Sequence, residues 1–216
     1  MTKRFGFTLA EVLITLGIIG VVAAMTMPTL MNSTQGAQYK AAYKKALSAL
    51  SQAVTLNMAL DEYNFADLDN STYKLEEMLN NRMNVVRTEK ATFKAANEKD
   101  YAVTTPTGAK GVAKVAPVAP GTDNTTLFFN DGIMFTYKTS EATYCTQADG
   151  ATAKPCYGFI DVNGIKAPNK QVKCDEGDGT EKNCVIKNPT DIYPVVFYDQ
   201  TVLPSSVAAR AVLYSK

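Results

Sequence analysis

Histidine is absent from the 216 residues of this chain. Its absence removes the commonest general base, the Ser-His and Cys-His nucleophile pairs, and imidazole ligands for metals. Charge is nearly balanced as well: Lys and Arg total 22 and Asp and Glu total 21, and the formal charge of +1 gives no overall field to attract nucleic acid. We therefore expect a protein that is not an enzyme, uses no cofactor for chemistry and binds no nucleic acid.

The N-terminal part of the chain contains a long apolar run. Between residues 7 and 30 the only ionisable side chain is Glu11. As a helix rising about 1.5 Å per residue, this run reaches roughly 36 Å, more than the hydrocarbon core of about 30 Å. Lys3 and Arg4 precede it, so the N-terminus is expected in the cytoplasm and everything after about Met31 is expected across the membrane.

A cleaved secretory signal is the alternative interpretation of this segment. Such signals have an apolar run of about 7–15 residues and a small-x-small cleavage site after it. The run here is longer, although the alanines of residues 22–25 resemble a cleavage site. A cleaved signal also leaves Glu11 without a role, and a carboxylate at mid-membrane costs about 2.5–3.5 kcal/mol. Glu11 therefore needs a partner.

Residues 3–14, KRFGFTLAEVLI, resemble the leader of type IV pilins and type II secretion pseudopilins. The resemblance implies that a membrane prepilin peptidase cuts on the cytoplasmic side after Gly6 and methylates the new N-terminus at Phe7. The apolar helix is then retained. Glycine suits this cut because a residue without Cβ lets an extended backbone enter a protease cleft closely.

The same resemblance implies a role for Glu11, which matches the family's glutamate four residues beyond the mature N-terminus. That glutamate is thought to meet the N-terminal amine, here that of Phe7, of a neighbouring subunit. Two opposite charges in a low-dielectric bundle favour the one register that joins them. The alternative is that the Glu11 carboxylate merely reaches the headgroup layer at the end of the helix.

Two residues predict flexibility within the apolar helix. Glycine at Gly20 weakens a helix by roughly 1 kcal/mol, and Pro28 lacks an internal hydrogen bond and clashes with the preceding turn. In related filaments the stretch between such a glycine and proline is partly unwound. The alternative is the ordinary tolerance of membrane helices for Gly and Pro.

Beyond the apolar run, the pattern predicts an α+β fold. Between residues 38 and 60 apolar side chains recur at helical spacing, so one long helix should continue out of the membrane and lie on a sheet. Strand patterns occupy residues 126–129, 133–138, 158–162 and 193–198, the first two joined by an Asn-Asp-Gly turn. A short helix is predicted at residues 73–81. The pilin resemblance implies the same architecture, a long N-terminal helix packed on an antiparallel sheet of about four strands with disulfide-closed loops.

The chain divides accordingly into five parts. These are a cytoplasmic leader at residues 1–6, a transmembrane helix and filament core at 7–30, an amphipathic helix at 31–62, a variable connecting region at 63–125, and the sheet with its cysteine-containing loops at 126–216. Residues 104–126 are rich in Thr, Pro, Gly and Ala, which predicts an exposed loop.

All four cysteines fall in the part expected outside the cytoplasm, where disulfides are permitted. They are Cys145, Cys156, Cys174 and Cys184. Four cysteines allow three pairings, of which the neighbour pairing, first with second and third with fourth, is the simplest. Separations of 11, 18 and 10 lack the Cys-x-x-Cys spacing of zinc knuckles.

One segment has the beginning of a calcium loop. Asp161, Asn163 and the following glycine match Asp-x-Asn-Gly, and Asp191 supplies a further candidate oxygen ligand. The later ligands of an EF-hand are missing. We favour the simpler interpretation, a hairpin turn with Asp161 in solvent.

These features predict a structural subunit of a type IV pilus-like filament or of a type II secretion pseudopilus. The expected partners are the prepilin peptidase, other copies of the chain and related pilins, the inner-membrane assembly platform and the lipid bilayer. The expected location is the bacterial inner membrane, crossed once, with the C-terminal head in the periplasm or outside the cell. The alternatives are a minor or competence pilin and a membrane-anchored periplasmic binding module.

Overall fold

The computed structural model describes residues 6–69, 71–147 and 154–215, apart from the side chains of Thr29 and Asn32. Within these ranges there are three α-helices and eight strands. The helices are α1 (Leu9–Asp61), α2 (Leu75–Asn80) and α3 (Val207–Tyr214). The strands are β1 (Val85–Glu89), β2 (Asn124–Phe129), β3 (Met134–Lys138), β4 (Cys156–Asp161), β5 (Glu176–Thr180), β6 (Asn183–Val185), β7 (Ile192–Tyr198) and β8 (Thr201–Pro204).

Helix α1 runs without interruption for 53 residues. We call its N-terminal part, up to residue 35, the stem, and the described chain from residue 36 onwards the head. The helix begins at the N-cap Thr8 and ends at Glu62, which adopts the left-handed conformation with φ 61°. Side chains at helical spacing in its second half are buried against the head: Tyr43, Leu47, Leu50 and Val54. This is the amphipathic face that the sequence predicted.

The sheet has the strand order β1-β2-β3-β4-β7-β8, and each neighbouring pair is antiparallel. The predicted hairpin is present as β2 and β3, and Gly132 in its turn has φ +85°. The prediction of about four strands was too low. Two edge strands escaped it: β1 has mostly exposed side chains, and β8 is short and ends in Pro204.

Apolar side chains are buried on both faces of the sheet. On the helix side, Tyr43 stacks on Tyr193 with ring centroids 3.9 Å apart. A second cluster, built around Tyr101, Met134 and Phe159, is joined by Phe93 from the connecting region. The connecting region therefore folds back over the sheet, and its residues 90–103 contribute to the core.

The two disulfides join Cys145 with Cys156 and Cys174 with Cys184. This is the neighbour pairing that the sequence favoured. The first pair is buried in the main core. The second joins Cys174, which lies just before β5 and is buried in the same core, to Cys184 in β6. It closes the separate two-stranded sheet of β5 and β6, which has few apolar side chains to bury. By chain entropy a loop of this length contributes on the order of 3 kcal/mol.

Candidate functional site

The stem exposes an extended apolar surface. Large apolar side chains face outward all around it, with Leu9 exposed by 78%, Ile19 by 64% and Leu30 by 69%. Exposed apolar area of this extent marks a surface that contacts protein or lipid. Of the described helices, α1 alone is long and apolar enough to cross a membrane, judged by length and composition. The predicted topology depends on Lys3 and Arg4, which lie outside the described residues.

Gly6 and Phe7 lie immediately before α1, outside the helix. A Cβ placed on Gly6 meets nothing within 4 Å, and the residue does not need a positive φ. The fold therefore gives no reason for glycine at this position. Phe7 is 88% exposed and likewise has no role in the core. Both residues are accessible to another protein.

Glu11 has a partner that the sequence analysis missed. Its Oε2 accepts hydrogen bonds from the backbone N–H of Thr8 at 2.8 Å and from the Thr8 hydroxyl at 2.7 Å. The Thr8 Oγ1 in turn accepts from the N–H of Glu11 at 3.3 Å, which completes a capping box at the start of α1. The signal was present, since Thr-x-x-Glu before an apolar run is the capping-box pattern.

This capping box changes how the Glu11 carboxylate is understood. It gives partners to the backbone N–H groups of Thr8 and Glu11, which have none within the helix. The helix dipole also favours a negative charge at this end of the helix. Among the described residues only Oε2 is used, and Oε1 receives no hydrogen bond. The carboxylate is therefore held in place within its own chain and still has an oxygen for a second partner.

The α-helix is continuous across Gly20 and Pro28. A Cβ on Gly20 would meet nothing within 4 Å, so no contact within the described chain requires glycine there. The bend or unwound turn expected between these residues concerns the assembled filament, and it stays a prediction.

The candidate calcium ligands are brought together at the stem end of the head. Asp161 is fully buried, so the expectation that it is solvated was wrong. Tyr101, from the connecting region, covers it and donates its hydroxyl hydrogen bond to Oδ2 of Asp161. Burial, followed by the nearby charge of Asp191, raises the pKa of Asp161 well above its usual range.

Asp191 and Asn163 complete this cluster. Asp191 accepts the backbone N–H groups of Asn169 at 2.7 Å and of Lys170 at 2.8 Å, and burial raises its pKa. The Asn163 N–H donates to Oδ1 of Asp161 at 3.1 Å. These bonds give the carboxylates a structural role in ordering the loop after β4.

Their fit to calcium is mixed. Oxygen ligands suit calcium, and the side-chain oxygens of Asn163 and Asn169 are buried without a partner in the described structure. Within the described ranges, however, no three His, Cys, Asp or Glu side chains group to hold a metal. Calcium binding therefore stays a prediction.

Comparison with known proteins bears on the N-terminal segment. Residues 1–27 match the family model of the prokaryotic N-terminal methylation motif, a range that includes Gly6, Phe7, Glu11 and Gly20. The chain is also 40% identical over 77 residues to the type II secretion system core protein G of Klebsiella pneumoniae. That alignment covers 36% of this chain and 48% of the relative, so it spans about half of the relative's length. No solved structure matches the chain.

Proposed function

Because the chain carries the N-terminal motif of the type IV pilin-like and pseudopilin family on a pilin-like α+β fold, we propose that it is a structural subunit of a pilus-like filament or a type II secretion pseudopilus. It is made as a precursor that is cleaved after Gly6 and methylated at Phe7. Before assembly it resides in the inner membrane, with its head on the side opposite the cytoplasm. It then enters the filament through its stem, without a catalytic step of its own.

The observation that carries this proposal is the exposed stem and the order of residues at its start. A helix whose apolar side chains are exposed on every side is unfavourable in water, so lipid or other subunits must cover it. Directly before the stem stands a glycine that the fold does not need. Recognition by a peptidase accounts for Gly6, and lipid followed by neighbouring stems accounts for the apolar surface.

The hydrogen bonds between Glu11 and Thr8 bear on how the stem passes from the membrane into a filament. In the membrane the capping box keeps the Glu11 carboxylate hydrogen-bonded, which reduces the cost of an isolated charge in hydrocarbon. The free Oε1 is the atom that would accept the N-terminal amine of a neighbouring Phe7. Charge pairing of this kind favours one axial register between stems.

Processing is tested by intact mass and N-terminal sequencing of the protein from its native membrane. Wild type is compared with Gly6→Val and with Gly17→Ala, a control because Gly17 also meets nothing within 4 Å. We expect a chain starting at methylated Phe7 for wild type and control, and uncleaved precursor for Gly6→Val. Cleavage of wild type near Ala24, or none, would contradict the proposal.

Assembly is tested separately by Glu11→Gln, with Glu77→Gln as control because Glu77 is an exposed carboxylate in the head. We expect Glu11→Gln to be processed normally and to lower the yield of sheared or cross-linked filaments at least about tenfold, since losing one partner of a buried charge pair costs about 3–5 kcal/mol. Normal filament yield from Glu11→Gln would show that the carboxylate serves only the capping box.

A further inference from the structure

The two disulfides differ in how far solvent reaches them. Cys145 and Cys156 are exposed by 0% and 2%, and both lie in the main core. Cys174 is buried as well, but its partner Cys184 is only partly buried. A thiol must approach the sulfur that it attacks. The Cys174–Cys184 disulfide is therefore accessible to thiol–disulfide exchange, whereas the first disulfide is shielded.

Cys184 lines an open cleft of about 460 Å³ between α3 and β6. Arg210 and Tyr214 line the α3 side, and Cys184 and Val185 line the β6 side. Tyr214 and Val185 are both exposed, so the cleft is open to water. Arg210 also forms an ion pair with Glu181, which joins α3 to the turn between β5 and β6. A volume in the range of small-molecule sites, about 300–1,000 Å³, admits a small dithiol.

The segment that this disulfide closes has little else to order it. We call residues 174–185, which contain β5 and β6, the disulfide hairpin. No side chain of β5 or β6 is fully buried. Hydrophobic burial therefore contributes little to the order of the hairpin, and the crosslink contributes a large share. Opening the disulfide should loosen the hairpin as a local unit while the six-stranded sheet stays folded.

The disulfide hairpin and the start of α3 hold the same loop. The backbone N–H of Cys174 donates to the carbonyl of Lys110 at 2.9 Å, and the N–H of Ala208 donates to the carbonyl of Gly111 at 2.9 Å. The Lys110 ammonium also donates to the carbonyl of Gly177 at 3.1 Å. The loop at residues 110–111 therefore connects the hairpin to α3.

Helix α3 extends this connection to α1. Ala208, Ala209 and Val212 are fully buried in the main core. At the other end of α3, the ammonium of Lys44 in α1 donates to the carbonyl of Ser215 at 3.2 Å. The disulfide, the loop at residues 110–111, α3 and α1 thus form one continuous series of contacts.

We propose that the Cys174–Cys184 disulfide is a redox-sensitive clamp that a dithiol reductant opens through this cleft. The state of the clamp sets how firmly the loop at residues 110–111 and α3 are held. This inference goes beyond the proposed function and does not depend on it, because every contact that carries it lies within the head.

The chemical step is thiol–disulfide exchange. A thiolate of the dithiol attacks Sγ of Cys184, the S–S bond of the protein breaks, and Cys174 leaves as a thiolate that takes a proton from water. The second thiol of the reductant, also as thiolate, then attacks its own sulfur in the mixed disulfide. The reductant leaves as a cyclic disulfide, and Cys184 takes up a proton. Two electrons have passed from the reductant to the protein.

The first measurement is the rate at which each disulfide opens in the full chain in detergent, with dithiothreitol as the dithiol. Samples are quenched in acid, denatured, blocked with a maleimide and analysed by peptide mass spectrometry, which distinguishes the two disulfides. We expect Cys174–Cys184 to open at least about tenfold faster than Cys145–Cys156, because a shielded disulfide reacts only after local unfolding.

The second measurement is amide hydrogen exchange, which reports what the clamp holds. With Cys174–Cys184 alone open, the amides of Cys174 and Ala208 should exchange at least about tenfold faster, and those of β2 and β3 should not change. Reoxidation should restore slow exchange. The variant Cys174→Ser with Cys184→Ser is the matched control: it should exchange fast at Ala208 without reductant, and dithiothreitol should not change that rate.

Two results would overturn the proposal. One is opening of Cys145–Cys156 at the same rate as Cys174–Cys184, or before it. The other is unchanged exchange at Ala208 after Cys174–Cys184 has opened, which would show that the disulfide does not hold α3. If the double serine variant fails to fold, the wild-type time course decides, since it needs no substitution.

Discussion

Replacing Gly111 by alanine tests how tightly the connecting region is locked to the second disulfide. Gly111 has φ +68°, and a Cβ built on it lies 2.2 Å from Sγ of Cys174. Carbon and sulfur need well over 3.5 Å to avoid repulsion, so one group must move by more than about 1 Å. The sulfur is tethered to Cys184, and it has no free rotation with which to yield.

Gly108 provides a matched control three residues away. It has nearly the same backbone, with φ +67°, but a Cβ on it meets nothing within 4 Å. Gly108→Ala should therefore lose about 1–2 kcal/mol of unfolding free energy for the left-handed conformation alone. Gly111→Ala should lose that amount plus about 1–3 kcal/mol for overpacking against the sulfur. The gain from a stiffer unfolded chain is common to both variants and cancels in the comparison.

The measurement is denaturant unfolding of the full chain in detergent, with and without reduction of the disulfides. Reduction frees the Cys174 side chain to rotate, so the extra loss of Gly111→Ala should shrink to within about 0.5 kcal/mol of the control. Equal losses for the two variants with the disulfides intact would refute the reasoning. An extra loss that survives reduction would show that the disulfide is not what resists the new Cβ.

Two further predictions concern the carboxylates. The raised pKa values of Asp161 and Asp191 mean that the folded state binds protons more readily than the unfolded state. The stability that the two protonated carboxyls contribute is therefore complete below the ordinary aspartate pKa, and it is lost as pH rises through the raised values. Between about pH 5 and pH 8 the free energy of unfolding of Asp161→Asn, measured with denaturant, should therefore fall less than that of wild type. Equal falls in the two proteins would contradict this. Calcium that stabilises wild type at pH 8 but not the variant would establish the cation site. At the stem, Thr8→Ala should weaken the helix start by about 1 kcal/mol and speed amide exchange in the first turn, whereas Thr15→Ala, whose hydroxyl donates to the Val12 carbonyl at 2.9 Å, should not.

The sequence predicted the elements that have strong local patterns. Helix α1 repeats apolar residues at helical spacing, and the Asn-Asp-Gly turn marks the β2–β3 hairpin. Strand β5 has no such signal. Its sequence, Glu-Gly-Asp-Gly-Thr, resembles a loop, and Gly177 and Gly179 have φ of +93° and +85°. It is a strand because it pairs with β6 across a two-residue turn and the Cys174–Cys184 disulfide closes the same hairpin, and apolar periodicity indicates neither interaction.

The error at Asp161 has a long-range cause. Asp-x-Asn-Gly is a turn pattern, and a turn in isolation leaves its carboxylate in water. The carboxylate is buried because Tyr101, 60 residues earlier, closes over it. No periodicity in residues 90–103 indicates that they return to the far face of the sheet. The candidate residues Gly6, Phe7 and Glu11 were found instead from a local motif, which needs no knowledge of the fold.

Glycines in the N-terminal segment and glycines in the head differ in whether a contact within the chain requires them. Gly36 and Gly111 are restricted by contacts within the chain, so larger residues there should damage folding. Gly6 and Gly20 have no such contact, so no neighbour in the described chain opposes alanine at either position. A loss of function at Gly6 with normal head stability would therefore point to another molecule, and at Gly20 it would point to the predicted helix flexibility or to packing against another molecule. Under the proposed function that molecule is the peptidase for Gly6 and a neighbouring stem for Gly20, so the two positions test processing against packing.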